Sequence, residues 1–201
     1  MRVKRIIPLF VVLVLALVGC KTEYKPETVS GYIADVSTII LNQDGSIEGF
    51  ICDQFDTSTY SVDKLKSSIE AEIEDFSKSS PDQVSLSLCE MKDGKINIQM
   101  HYTNAKAYSD YNGVILFHGT VNEAVTQGFD FDKLMLVNAS GFEYAGTDLL
   151  KDSDKNVLIS ADGSNLRVLS GMEYCDSLDR MLNDYEVDVD PSHELHCVVL
   201  K

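Results

Sequence analysis

The segment 84–102, VSLSLCEMKDGKINIQMHY, decides the fold class of this chain. Apolar and polar residues alternate over 84–89, and after Asp93-Gly94 the alternation resumes over 96–102. Such alternation places one side of a strand in a core and the other side in water. An Asp-Gly pair between two such runs favours a tight turn. The segment therefore predicts an antiparallel hairpin, with Cys89 and His101 on its wet face.

The residues before this hairpin predict another hairpin and a helix. The run 36–41 is rich in β-branched residues, Asn42-Gln43-Asp44-Gly45 provides a turn, and 46–55 returns. Apolar residues then recur at steps of three and four, which is typical of one face of an amphipathic helix. Ser61 can cap the first turn of this helix. Its apolar face consists of Val62, Leu65, Ile69, Ile73 and Phe76.

Shorter elements are expected along the rest of the chain, and they complete an α+β fold of antiparallel hairpins forming a sheet, with a few helices packed on one face. The segment 172–190 shows no clear periodicity of apolar residues, and no helix or strand is predicted there. The expected elements are a helix over 103–112 closed by Gly113, a strand over 114–118, a helix from the capping box Thr120-Val-Asn-Glu123 to Gly128, a strand over 134–137, a third hairpin of 156–160 and 166–169 around Asp162-Gly163, and a last strand over 195–200.

The amino terminus has the three parts of a secretory signal. Basic residues stand at positions 2, 4 and 5, the apolar run 6–18 follows, and Gly19-Cys20 ends it. Thirteen helical residues reach roughly 20 Å, whereas the hydrocarbon layer of a membrane is about 30 Å thick. The pattern therefore favours a cleaved signal over a membrane-spanning anchor.

Leu17-Val18-Gly19-Cys20 resembles a lipobox, the processing site of bacterial lipoproteins. The resemblance implies that the thiol of Cys20 takes a diacylglycerol and that cleavage falls between Gly19 and Cys20. Two acyl chains give stable membrane anchoring. We expect a signal peptide over 1–19, a lipidated Cys20 with a polar tether over 20–30, and one α+β domain over 31–201. The domain would lie on the extracytoplasmic face of the cell membrane.

The charge balance excludes one large class of partners. The formal net charge is −15, and removal of the three basic residues with the signal leaves −18. Nucleic-acid binding needs a basic surface, so no nucleic acid is expected as a partner. No Walker loop, GxGxxG or GxSxG motif is present, and no cofactor is predicted.

Four cysteines follow Cys20, at positions 52, 89, 175 and 197. Outside the cytoplasm an even number permits two disulfides in three pairings. The alternative is that they are buried apolar residues or free thiols. The sequence leaves both open.

The order of features from Cys20 to the first helix resembles a group of uncharacterised cell-surface lipoproteins from clostridia and related Gram-positive bacteria. The features are the lipidated Cys20, a turn at Asn42-Gln43-Asp44-Gly45, a strand ending at Phe55, Tyr60, and a helix carrying Leu65, Ile69, Glu72 and Ile73. The resemblance is strongest over roughly residues 1 to 80 and continues more weakly through the expected hairpin around Asp162-Gly163 and the last strand. It implies an address and a fold, and it carries over no active residue.

Two clusters match metal sites only in part. His193-Glu194-Leu195-His196-Cys197 has zinc-ligand types, but on a strand its two histidines point to opposite faces. We expect surface histidines beside an edge strand. The run 152–156 opens like a calcium loop, but Val157 and Gly163 stand where the loop needs glycine and glutamate. It is interpreted as a polar turn, and no metal ligand is assigned.

The remaining chemistry gives two hypotheses of different class. The first is a non-enzymatic envelope module that binds a protein or a small molecule, because no catalytic signature is present and no catalytic residue can be assigned. The second is a surface hydrolase or thiol-dependent enzyme that pairs Cys89 with His101 or His118. Tyr102, Tyr108 and Tyr111 could form an aromatic binding platform, and core packing explains them equally well.

Overall fold

The computed structural model describes residues 34–151 and 153–201, which form two β-sheets and four α-helices. The signal peptide, Cys20, the tether and Asp152 lie outside the described residues. The strands are β1 (Thr38–Leu41), β2 (Ile47–Gln54), β3 (Val84–Lys92), β4 (Lys95–Tyr102), β5 (Leu116–Thr120), β6 (Met135–Asn138), β7 (Glu143–Ala145), β8 (Asn156–Ser160), β9 (Asn165–Val168), β10 (Met172–Asp176), β11 (Arg180–Asn183), β12 (Glu186–Asp188) and β13 (His196–Leu200). The helices are α1 (Val62–Ser79), α2 (Ala105–Asn112), α3 (Val121–Thr126) and α4 (Gly146–Leu150).

The two sheets share one buried apolar cluster. A seven-stranded sheet has the order β11-β12-β9-β1-β2-β4-β3, and a six-stranded sheet has the order β5-β8-β13-β10-β6-β7. Ile39 and Leu41 of the first sheet lie in the same cluster as Leu158 and Val198 of the second. We call this cluster the inter-sheet core, and the side of the seven-stranded sheet turned away from it the outer face. Nearly all pairings are antiparallel, but β1 and β9 run parallel.

The first two of the three hairpins expected from turn chemistry are confirmed. At the β1–β2 turn Gly45 has a φ of 86°, and the carboxylate of Asp44 accepts hydrogen bonds from the backbone and side chain of Ser46 at 3.0 and 2.6 Å. At the β3–β4 turn Asp93 and Gly94 both have positive φ, at 50° and 80°. This is the geometry that Asp-Gly favours between twisted strands.

The alternation predicted for β3 holds only over its first half, because a β-bulge interrupts it. Leu86 pairs with Met100, Leu88 pairs with Gln99, and Ser87 is skipped. One extra residue moves every later side chain to the other face. Leu88 therefore faces outward, and the prediction that it lies in the core is wrong. Cys89 turns inward and packs against the inter-sheet core.

The third predicted hairpin, around Asp162-Gly163, is wrong. Both of its strands exist, but β8 belongs to the six-stranded sheet and β9 to the seven-stranded sheet. The backbone N–H of Ala161 donates to the carbonyl of Ile115 at 2.8 Å, whereas that of Asn165 donates to Ser37 at 3.0 Å. The chain thus crosses from one sheet to the other. Residues 157–160 are all buried, so no wet face marks β8 as half of an exposed hairpin.

The helices agree with the α+β class, although they do not share one face. The apolar side of α1 packs against the inter-sheet core, as do Ala105 and Tyr108 of α2. Buried residues of α3 and α4 belong to a second cluster, which includes Val157 and Ile159 of β8. The predicted caps are confirmed: Ser61 accepts from Lys64, Gly113 ends α2 with a φ of 70°, and Thr120 and Glu123 form a capping box.

The segment 172–190, which the sequence left unread, contains β10, β11 and β12. The last strand is confirmed as β13 and lies between β8 and β10. Within the described residues, no helix has the length and apolar character needed to cross a membrane.

Candidate functional site

A row of mostly polar side chains crosses the outer face of the seven-stranded sheet. Directly opposed residues of neighbouring strands project from the same face. The strand register places His101 of β4 between Ser85 of β3 and Glu48 of β2. Further along the same row, Glu48 is followed by Ile40 of β1 and Arg167 of β9. We call Ser85, His101 and Glu48 the outer-face triad.

Glu48 and His101 form the tightest contact in this row. The Nδ1 of His101 lies 2.6 Å from Oε1 of Glu48, and Gln99 donates from Nε2 to the other carboxylate oxygen at 3.1 Å. The side chain of Glu48 is only 10 % exposed, whereas that of His101 is 38 % exposed. A buried carboxylate that engages Nδ1 fixes the orientation of an imidazole. The second ring nitrogen, Nε2, is then left free of Glu48.

The predicted pairing of Cys89 with His101 is not formed. Cys89 is opposed to Ile98 on the inner side of β4, while His101 projects from the outer face. Burial raises the pKa of the Cys89 thiol. The other predicted partner, His118, lies on β5 in the six-stranded sheet. The serine opposite His101, which is exposed, therefore occupies the position expected for the cysteine.

A second feature is a groove of about 700 Å³ beside β5, the edge strand of the six-stranded sheet. Its walls come from α2, from Gly45 in the β1–β2 turn, and from Phe129 after α3. Leu116 is held at this edge because Ser109 accepts from its N–H at 2.7 Å and donates to its carbonyl at 2.8 Å. We call this feature the β5 groove.

The lining of the β5 groove is mixed in character. Lys106 and Asp110 form an ion pair on one turn of α2, and Phe117 stacks near Phe129 with ring centroids 5.4 Å apart. Burial lowers the pKa of His118, so its imidazole is neutral near pH 7. The groove thus offers aromatic surface and a neutral hydrogen-bonding ring, and its charges neutralise each other.

The cluster 193–197 differs from its prediction. His196 is not a surface residue beside an edge strand: it is buried in β13, an inner strand of its sheet. Its Nδ1 lies 3.0 Å from both carboxylate oxygens of Asp179. His193 lies 3.7 Å from Asp190. Within residues 34–151 and 153–201, no group of three metal-binding side chains comes together.

All four cysteines of the described domain are free thiols. Burial raises the pKa of Cys175 to about 12 and raises that of Cys197 as well. Buried thiols with raised pKa values are poor nucleophiles. The interpretation of these residues as small apolar core residues fits Cys175 and Cys197.

The tyrosines of the predicted aromatic platform belong mainly to the inter-sheet core. Tyr102 and Tyr108 are both buried, with ring centroids 4.8 Å apart in an edge-to-face arrangement. The hydroxyl of Tyr108 donates to Asp162 at 2.8 Å. Their packing leaves little ring surface for a ligand.

Sequence reasoning singled out His101 but missed Glu48 and Ser85. Glu48 is a polar residue at an outward position between Ile47 and Gly49, and this pattern could have identified it. Its partner could not be predicted, because the partner depends on which hairpins lie side by side. Comparisons of the chain with protein families, with curated proteins and with solved structures find no match.

Proposed function

We propose that this protein is a lipid-anchored extracytoplasmic lipoprotein whose folded domain binds a partner through the β5 groove. The sequence 6–20 supports the anchor: it is a short apolar run that ends in Gly19-Cys20. The resemblance to Gram-positive cell-surface lipoproteins supports the same address. The single observation that carries the binding role is the groove of about 700 Å³ beside an edge strand.

The chemistry of the groove favours a neutral partner with an apolar side. Phe129 is half-buried and offers part of its ring, and the neutral imidazole of His118 can accept or donate one hydrogen bond. The strongly negative domain disfavours anionic partners. An uncharged small molecule or a neutral segment of an envelope protein fits these properties, since ligand sites commonly combine an apolar lining with a few polar groups.

The anchor is tested with the full chain expressed in a bacterium that processes lipoproteins. Growth with an alkyne analogue of palmitate should label the wild-type protein and place it in the membrane fraction. Cys20→Ala should abolish the label and release the protein, because no thiol remains for the diacylglycerol. Equal labelling of the variant would refute lipidation at this residue.

The groove is tested with a photo-crosslinking amino acid on intact cells. It is placed at Ile115, which borders the groove and is 48 % exposed, or at Leu178, which is 56 % exposed and follows β10. A binding groove predicts a discrete crosslinked product from position 115 that is absent from position 178. Identical products from both positions, or none from position 115 in protein that reaches the membrane, would contradict the proposal.

A further inference from the structure

The outer face of the seven-stranded sheet carries a serine, a histidine and a carboxylate that do not line the β5 groove. The enzyme hypothesis drawn from the sequence needed Cys89 beside His101, and the bulge in β3 turns that thiol inward. The same hairpin instead places Ser85 directly opposite His101 on the outer face. We propose that Ser85, His101 and Glu48 form the nucleophile, general base and orienting carboxylate of an ester-hydrolysing site.

The orienting carboxylate and the general base of this site are already in contact. Glu48 is nearly buried and receives Nδ1 of His101 at 2.6 Å, while Gln99 holds its second oxygen at 3.1 Å. The three strands run in the order β2-β4-β3, so Glu48 and Ser85 flank His101 on opposite sides. With Nδ1 engaged by Glu48, Nε2 is the ring nitrogen left to act on Ser85, the residue opposite His101 on β3. This is the sequence of roles in serine hydrolases, whose members are recognised by geometry rather than chain order.

The nucleophilic half needs only a side-chain adjustment. Directly opposed residues of antiparallel strands have Cβ atoms about 4.5–5.5 Å apart. Ser85 is exposed on an edge strand, so its hydroxyl is free to rotate and a substrate can approach it. Hydrogen bonds between nucleophile and base are commonly loose in a free enzyme and tighten when substrate binds.

The bulge interrupts the regular pairing of β3 with β4 two residues after Ser85. Ser87 is skipped in the pairing of β3 with β4, so it stands outside the regular ladder two residues after Ser85. Bulges are enriched beside active sites, where they redirect side chains and free backbone groups. Backbone N–H groups near a nucleophile can stabilise the oxyanion that forms during acyl transfer.

The reaction has two balanced steps. In the first, Nε2 of His101 takes the hydroxyl proton of Ser85, Oγ forms a bond to the ester carbonyl carbon, and the alcohol leaves with the proton returned by His101. In the second, His101 takes a proton from water, hydroxide attacks the acyl-serine, and Oγ recovers the proton as the carboxylic acid departs. The negative domain favours neutral or cationic esters over anionic ones.

This inference goes beyond the proposed binding function, and its residues are separate from those lining the β5 groove. It is tested with the purified full chain and a fluorophosphonate probe. Activation predicts that Oγ of Ser85 bonds to phosphorus as fluoride leaves and His101 takes the proton. Peptide mass spectrometry should then place the label on Ser85. The rate of labelling should fall roughly 100-fold or more in His101→Gln, because a general base contributes about 10²- to 10⁴-fold.

Matched variants separate activation from exposure. Ser67→Ala removes an exposed serine of α1 and should keep the label, whereas Ser85→Ala should lose it. Glu48→Gln should also slow labelling, with folding checked by thermal denaturation. Hydrolysis of p-nitrophenyl acetate should follow the same order. Absence of label on Ser85 in folded wild-type protein, or labelling at an equal rate in His101→Gln, overturns the proposal. Neither result would affect crosslinking at the β5 groove.

Discussion

Replacing Asp179 by asparagine removes the charge from a buried ion pair while nearly conserving the volume of the side chain. Asp179 and His196 have side chains that are 0 % and 1 % exposed. Both carboxylate oxygens lie 3.0 Å from Nδ1 of His196, and Oδ1 also accepts from the backbone N–H of Asp190 at 2.9 Å. The pair therefore ties β13 to the turn after β10 and to the end of β12.

The magnitude follows from the burial of the pair. Removing one partner of a buried ion pair costs about 3–5 kcal/mol, because the remaining group loses its compensating charge. Asparagine can still accept one hydrogen bond, so we expect Asp179→Asn to lower the free energy of unfolding by about 3 kcal/mol. For a domain of this size, 1 kcal/mol corresponds to about 2–4 °C, so the melting temperature should fall by about 6–12 °C.

The effect should depend on pH in one direction. The hydrogen bond with Asp179 raises the pKa of His196 above its usual 6.5, against the opposing effect of burial. A raised pKa in the folded state stabilises the protein fully below about pH 6.5, and this contribution is lost as pH rises through the folded-state value. The difference between wild type and Asp179→Asn should therefore be largest near pH 6 and narrow towards pH 8.5. Asp176, Asp190 and His193 also act on this site but are present in both proteins.

The assay is thermal and urea denaturation of both proteins at pH 6.0, 7.0 and 8.5. Asp188→Asn is the matched control, since Asp188 pairs with Arg180 at the surface and exposed pairs contribute only about 0–1 kcal/mol. Two results would refute the reasoning: a loss in Asp179→Asn no greater than in the control, or a difference that widens from pH 6.0 to pH 8.5.

The remaining predictions concern local structure and thiol accessibility. Thr120→Ala removes the side-chain acceptor of the capping box of α3 and should lower stability by about 1 kcal/mol in urea denaturation. Thr126→Ala, at the other end of the same helix, should change it by less than about 0.5 kcal/mol. In native protein at pH 7.5, a maleimide should label Cys52 before the others, while Cys175 and Cys197 should react only after unfolding, as followed by mass spectrometry. Labelling of both buried thiols at the rate of Cys52 would show that the six-stranded sheet opens readily.

The parts of the fold that sequence predicts well are those fixed by short-range chemistry. The two hairpins follow from turns at Asp44-Gly45 and Asp93-Gly94, and the α1 and α3 starts follow from the caps at Ser61 and Thr120. Each depends on residues a few positions apart. The pairing of β1 with β9 joins segments more than 120 residues apart, and no local pattern specifies it. The same limit explains the wrong third hairpin, because a turn motif does not say whether its strands pair.

The members of the candidate site could not be predicted from the sequence, for a related reason. His101 was visible as a wet-face residue, but the identity of its neighbours depended on register. Glu48 reaches it only because β2 pairs with β4, and Ser85 replaces Cys89 as a neighbour only because β3 has a bulge. A strict alternation counted through Ser87 places Cys89 on the wrong side. The bulge itself has no signal in the sequence that distinguishes Ser87 from the other serines of the strand.

The β1–β2 turn leads directly into β2, the strand that carries Glu48 of the outer-face triad. The hydrogen bonds from Ser46 lower the pKa of Asp44. One residue later, Gly45 lines the groove, and a Cβ there would lie 3.9 Å from the ring of His118. A change in this turn therefore acts on the wall of the groove and on the start of β2, although the two sites share no lining residue. Because the positive φ of Gly45 disfavours other residues, a substitution at position 45 would strain the turn and the wall of the groove together.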